Sequence, residues 1–203
     1  AQTSMTQSDF RKAIKPISQG IEQVEGVIAV DDFIIDKPHS TENDIICYHY
    51  DHKIGRNVKG INVISFFVSQ DLGKSQSIEL PVSYEIVSKP VKYKDPVTNM
   101  DKRRSEVTKN ELVRARLKIL AHKNALSFPR VIGYMVFFND NFEFVHKDLK
   151  KYFVGALKSN RLVALSKSEM LEGEFQSVSA ISIEPHSRIE VWIKGLDFPV
   201  YLT

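Results

Sequence analysis

Only one cysteine, Cys47, occurs in the chain, so no internal disulfide can form and no paired-thiol zinc motif can be written. No apolar run approaches the ~20 residues that a membrane-spanning helix needs, and no signal-peptide pattern opens the sequence, where Ala1 to Ser4 read as leader without structural information. These absences point to a reducing, cytoplasmic setting. An excess of one charge is lacking as well: 28 Lys+Arg stand against 25 Asp+Glu, and the resulting +3 is too small to identify a nucleic-acid partner by itself. Where the cations lie has to carry that argument. Internal repeats and low-complexity stretches are missing too. What is present is 42% hydrophobic residues over 203 positions, enough to bury a substantial core in one domain, or in one domain with an insertion.

Along the chain, Phe10, Ile14 and Ile17 recur at helical spacing, with Ser8 as a candidate cap and Pro16 expected to bend or end the helix. Residues 27–30 form a continuous apolar run, followed by Asp31-Asp32 and then Phe33-Ile34-Ile35, as in a strand buried on both faces. Residues 37–60, broken by Pro38, Gly55 and Gly60, read mostly as loop. Residues 61–68 and 78–87 are β-branched and aromatic and read as a hairpin, which gives three sequential strands. Residues 89–104 hold two prolines and Lys89, Lys92, Lys94, Lys102, Arg103 and Arg104, and read as an exposed basic loop. Thr108 and Glu111 form a capping box ahead of a helix reaching about His122. A strand over 131–138, a helix over 139–150 and a strand over 152–157 make a βαβ unit. Beyond Leu162 short alternating strands are expected at 175–183, 188–193 and 198–202.

Three antiparallel strands, a helix and then a β/α unit, with an acid on the first strand, is the order of an RNase H-like domain. In such a domain acids converge on two divalent ions, because Mg²⁺ prefers oxygen ligands and paired metals activate the attacking oxygen and stabilise the leaving one. Asp31 and Asp32 are the candidate metal carboxylates, since an unpaired charge inside an apolar run is costly and calls for a reason. A turn cap and a solvent-facing acid are the ordinary alternative. Asp36, Asp51 and Asp140 offer other carboxylate geometries. Cys47, His49 and His52 supply thiol and imidazole, but their spacing fits no standard zinc motif. Trp192 and the pair Phe137-Phe138 are read as core residues. Arg56, Lys59, Lys102, Arg103, Arg104, Lys158 and Arg161 are candidate phosphate contacts, against the alternative of ordinary solvated surface.

Several ordered motifs carry a resemblance. They are Val30-Asp31-Asp32 followed by Lys37-Pro38, Tyr48-His49-Tyr50-Asp51-His52, and Gly55-Arg56-Asn57-Val58-Lys59-Gly60-Ile61-Asn62. After them come Lys102-Arg103-Arg104-Ser105-Glu106-Val107-Thr108-Lys109-Asn110-Glu111-Leu112, Leu157-Lys158-Ser159-Asn160-Arg161 and Gly195-Leu196-Asp197-Phe198-Pro199-Val200. In that order they resemble the DDE transposases of bacterial insertion sequences, in the subgroup whose catalytic domain carries a β-rich insertion before its final Glu. The resemblance implies an α/β, RNase H-like mixed sheet with flanking helices over residues 7–162 and the start of an antiparallel β insertion over 163–203. It further implies cut-and-paste DNA chemistry with Mg²⁺ or Mn²⁺, binding to inverted-repeat ends, and a homodimer on DNA. The second acid of the family's Asp-Asp pair matches Asp32, which makes Asp32 the implied metal ligand, with Asp31 second.

Two departures follow. The family's second catalytic Asp falls, counted back from Leu157, at Gly133, and Asp140 is seven residues away. The third acid, a Glu on a later helix, would lie beyond Thr203. The expectation is therefore a transposase core that folds and contacts DNA but lacks its full set of carboxylates. The rival expectations are a non-enzymatic DNA-binding or regulatory remnant of a mobile element and an unrelated nuclease.

Overall fold

The computed structural model describes residues 6–21, 26–73, 76–123, 126–133 and 139–203. The chain forms two compact units, Ala1–Val154 and Gly155–Thr203. The first is mixed α/β and is built around strand β1 (Val27–Asp36).

Strand β1 pairs antiparallel with β3 (Arg56–Gly73) on one side and parallel with β7 (Arg130–Gly133) on the other. At 18 residues, β3 is long enough that its other edge takes two partners end to end. Its first part pairs with β2 (Cys47–Asp51) and the rest with β4 (Gln76–Ile86), both antiparallel. Strand β8 (Tyr152–Gly155) lies beyond β7, completing the order β2-β3-β1-β7-β8 with β4 on β3. The segment expected as loop over 37–60 therefore contains β2 and the start of β3, and the three leading strands are four. Gly55 does turn the chain, with φ 68° between β2 and β3, a conformation open to glycine, whereas Gly60 lies inside β3. That turn made the segment look irregular while the flanking β-formers paired.

Because side chains alternate along a strand, β1 has two different faces. Ile28, Val30, Asp32 and Ile34 point one way, and the first two join Ile64, Phe66 and Val68 of β3 in the core. Helix α2 (Lys109–Lys118), continued by a π-turn over Ile119–Lys123, lays Val113, Leu117 and Leu120 on this cluster. The expected capping box is present: Thr108 Oγ1 accepts from Glu111 N at 3.2 Å and Glu111 Oε2 accepts from Thr108 N at 2.7 Å. Val145 and Leu149, from the segment of α3 (Asn139–Glu143) and the π-turn Phe144–Asp148, close the same core, and Phe142 stacks on Phe153 of β8. The opposite face of the sheet exposes Phe33, Ile35, Tyr48, Tyr50 and Ile86.

Helix α1 (Gln7–Ile21) runs through Pro16 rather than ending there, and its N-terminus is closed by Thr6 and Asp9 rather than by Ser8. Phe10 meets the ring of Tyr84 edge-on, while Arg116 of α2 donates to Glu85 of β4 (2.6 Å) and to Gln7 of α1 (2.5 Å), tying two helices to one strand. The strand expected over 131–138 is described as Arg130–Gly133; residues 134–138, including Phe137-Phe138, lie outside the described residues.

In the second unit the sheet order is β10-β9-β11-β12, from β9 (Leu162–Ala164), β10 (Gln176–Ser177), β11 (Ile189–Ile193) and β12 (Val200–Leu202), all antiparallel. Val163, Ala164, Val191, Ile193 and Leu196 form its interior. The strand expected over 175–183 shrinks to two residues followed by a 3₁₀ turn, and helix α4 (Lys167–Glu172) was not anticipated. Its cues were present in Ser166, which caps Glu169 N at 3.2 Å, and in Gly173, which ends the helix at φ 79°. Trp192 is half-buried on β11, opposite Ala164.

Gly60 marks where β1, β2 and β3 meet, pairing with both Asp36 and Cys47. A Cβ there would fall on the Ile35 carbonyl oxygen and lie 2.7 Å from Ile34 Cγ2. Gly60→Ala is expected to lower unfolding free energy by about 1 to 3 kcal/mol through overpacking against backbone, measured by urea titration. A change below about 0.5 kcal/mol would show that the junction gives way.

Candidate functional site

Asp31 and Asp32 lie on opposite faces of β1, so the sequence pair is not a spatial pair. Asp31 is exposed among the apolar side chains of the open face, and its Oδ1 accepts from Asp32 N at 2.9 Å. Asp32 points toward α2, with only 12% of its side chain accessible. Its Oδ2 takes an ion pair from Lys109 Nζ, from the first helical residue of α2, and a hydrogen bond from Asn62 Nδ2 at 3.3 Å. A carboxylate on this face has left water and needs such partners. Lys109 reaches it because the capping box fixes where α2 begins, and Asn62 because it lies on the same face of the neighbouring β3.

Other polar groups gather nearby on that face. Cys47 and His49 of β2 share it with Asn62 and Asp32, by the register of β2 on β3 and β3 on β1. His49 is 3% exposed, and its Nε2 lies 3.4 Å from Cys47 Sγ. Burial, with Lys89 and Lys109 adding positive charge, pushes the His49 pKa down to about 4, so the ring is neutral at pH 7. Burial likewise pushes the Cys47 thiol up, away from thiolate character. Burial lowers Lys89, whose Nζ donates to the Tyr48 carbonyl at 2.7 Å. Asn62 Oδ1 is a buried acceptor without a hydrogen-bond partner among the described residues. Sequence reasoning singled out Asp32 and His49 but missed Asn62 and Lys109; a lysine directly after a capping Thr was the available signal for Lys109.

This donor set does not fit a two-metal centre. The Asp32 oxygen nearest α2 is already neutralised by an ammonium, and Asp31 faces away. Gly133 sits beside Val30 in the parallel pairing with β7 and brings no acid, and residues 134–138 contain none. Among the described residues no group of three or more His, Cys, Asp or Glu side chains is placed to hold a metal ion, whether around Asp32, around Cys47 and His49, or at Asp36, Asp51 and Asp140. Asp51 instead accepts from Lys53 N at 2.8 Å, and Asp140 is an exposed acid 4.0 Å from Arg114.

The candidate phosphate contacts separate into groups. Arg56 and Lys59 lie on β3 opposite Asp51 and Tyr48. Lys102, Arg103 and Arg104 do not lie in a loop: they form β6 (Asp101–Arg104), paired with β5 (Val91–Lys94) in a separate two-stranded sheet. Pro90 precedes the ribbon and Pro96 lies in its turn, so neither interrupts a strand, which is why composition suggested an irregular segment. Lys158 and Arg161 belong to the second unit, joined by a backbone bond of 2.9 Å. No helix among the described residues is long and apolar enough to cross a membrane.

Two outcomes follow from this geometry. Lys109→Met strands a shielded carboxylate and should cost about 1 to 3 kcal/mol, whereas adding Asp32→Asn should recover part of that loss, giving a coupling of about 1 kcal/mol in a double-mutant cycle; strict additivity would deny the pair. For His49 the folded pKa lies below the unfolded value, so the unfolded chain binds a proton that the folded chain refuses. Stability should then fall as pH drops from about 6.5 toward about 4, and a His49→Gln chain should show a flatter dependence in denaturant titrations above about pH 5, before carboxylates titrate. No protein-family model, curated protein or solved structure matches the chain.

Proposed function

We propose that this chain is the RNase H-like core of a DDE-type insertion-sequence transposase that contacts DNA but has lost the metal chemistry of strand cleavage. The observation that carries the reading is the state of Asp32. It lies on the central strand, between antiparallel β3 and parallel β7, yet its carboxylate is held by Lys109 and Asn62 and belongs to no group of three or more possible metal ligands among the described residues. With β2 and the β5–β6 ribbon interposed, the order β1, β3, β4, α2, β7 supports the fold assignment: an acid-bearing strand, antiparallel strands, a helix, then a strand parallel to the first. The ordered motifs from Asp31 to Val200 support the family.

Two-metal catalysis needs anionic ligands on both ions. With Lys109 on Asp32 and glycine at 133, the chain holds DNA without cutting it, which favours the reading of a DNA-binding remnant over that of a working enzyme. Lys109 and Asn62 hold Asp32, His49 stays uncharged beside them, and Arg56 of β3 and Arg104 of β6 are exposed where phosphates would approach.

The test is a nicking assay on supercoiled plasmid and on labelled duplex carrying inverted-repeat ends, with Mg²⁺ or Mn²⁺. No cleavage is expected from the natural chain or from Gly133→Asp. Metal-dependent nicking that disappears in Asp32→Ala would overturn the loss of chemistry.

A further inference from the structure

We infer that the β5–β6 ribbon is a preformed duplex-DNA contact that enters the major groove, with Lys92, Lys94 and Arg104 meeting phosphates and groove edges. This rests on the DNA-contacting reading above and gives it a location. Residues 91–104 contain five cations (Lys92, Lys94, Lys102, Arg103, Arg104) and two acids (Asp95, Asp101), a net +3. That equals the formal charge of the whole chain, so the rest of the protein sums to neutrality. The chain's net positive charge is thus matched by that of one ribbon.

The ribbon's construction matches a groove better than a flat surface. It is hydrogen-bonded to no strand of the main sheet, and six of its eight strand residues are exposed, with only Val91 and Arg103 half-buried. Its base is fastened: Arg103 donates to Glu42 Oε1 at 3.0 Å and to the Lys89 carbonyl at 3.3 Å, and Ser105 Oγ donates to the Ser88 carbonyl at 2.7 Å. The tip is fastened too. Asp95 accepts from the backbone of Val97 and Thr98 and from Lys102 Nζ, which holds its carboxyl well below the usual range. Val97 and Met100 stand at the turn, 91% and 65% exposed. An element anchored at its base and braced within its own turn gives up little conformational entropy on binding.

These contacts redistribute the roles of the cations. Arg103 is the anchor and Lys102 the brace of the turn, so neither is the main phosphate ligand. Lys92 and Lys94 are exposed with no partner among the described residues, and Arg104 lies 5.8 Å from the ring of Tyr93 on the other side of the ribbon. A two-stranded ribbon fits the ~12 Å major groove of B-form DNA, whereas the deep, narrow groove of A-form RNA excludes it.

The test uses the full chain and fluorescence anisotropy with a random-sequence ~20-base-pair duplex across a salt titration. Lys92→Gln/Lys94→Gln/Arg104→Gln is compared with a control removing equal charge elsewhere, Lys12→Gln/Lys118→Gln/Lys123→Gln, after circular dichroism shows that both fold. The ribbon variant should bind at least tenfold more weakly at fixed salt, with a log–log salt slope shallower by about 2 to 3, and the control should change less than threefold. Duplex RNA should bind more weakly than DNA. Wild-type protein should protect guanine N7, which lies in the major groove, from dimethyl sulfate, and the ribbon variant should not.

Equal losses in both variants, or an unchanged ribbon variant while the wild type binds DNA, would overturn the ribbon and leave DNA contact through other cations standing. Binding without N7 protection, or a preference for RNA, would overturn the groove placement. Absence of any duplex binding by the wild type at low salt would remove both the ribbon and the DNA-contacting reading.

Discussion

The ion pair between Asp32 and Lys109 is the interaction on which the first unit depends. A charge on the core face of a central strand is tolerable only where something neutralises it, and the neutralising group comes from the first turn of the helix that covers that face. The pair therefore joins the sheet to the start of α2, where apolar packing gives way to polar contacts. Further along the same helix, Val113, Leu117 and Leu120 continue the contact with hydrophobic area, and Arg116 repeats the polar tie toward Glu85. Hydrophobic burial supplies most of the attraction and the two ion pairs fix where along the sheet the helix sits.

The same pair decides what the face can do. In an arrangement where acids converge, mutual repulsion keeps carboxylates hungry for a divalent cation. Here Asp32 is paired with the Lys109 ammonium, the imidazole of His49 is held neutral, and the Asn62 amide already donates to the carboxylate. The electrostatics around Asp32 are those of a satisfied interior, although Asn62 Oδ1 is a buried acceptor without a hydrogen-bond partner among the described residues.

Much of this was legible in the sequence, and the failures have physical causes. The capping box at Thr108 and Glu111, the Asp-bearing strand and its two neighbours follow from local rules that the structure obeys. The turn at Gly55 was legible too, but β2 was obscured because five residues cannot display a period beside it. In the second unit, strands of two and three residues draw their stability from neighbours distant in sequence, which no window along the chain reveals. The side-by-side acids were misleading in a different way, since adjacent residues on a strand cannot share a site. Composition found the basic segment at 89–104 but not its shape, because paired strands of Lys, Arg and Asp carry no apolar alternation to read.

The junction at Gly60 has one more consequence. A slip of β1 against β3 by a single residue would turn Asp31 inward and Asp32 outward, and would bring a residue with a Cβ to the place where the Ile35 carbonyl tolerates none. Electrostatics midway along the strand pair and steric exclusion at its end thus select the same alignment independently. A chain searching for its partner strand is checked twice, by mechanisms that do not share a residue, and a mutation that blinds one check leaves the other in force.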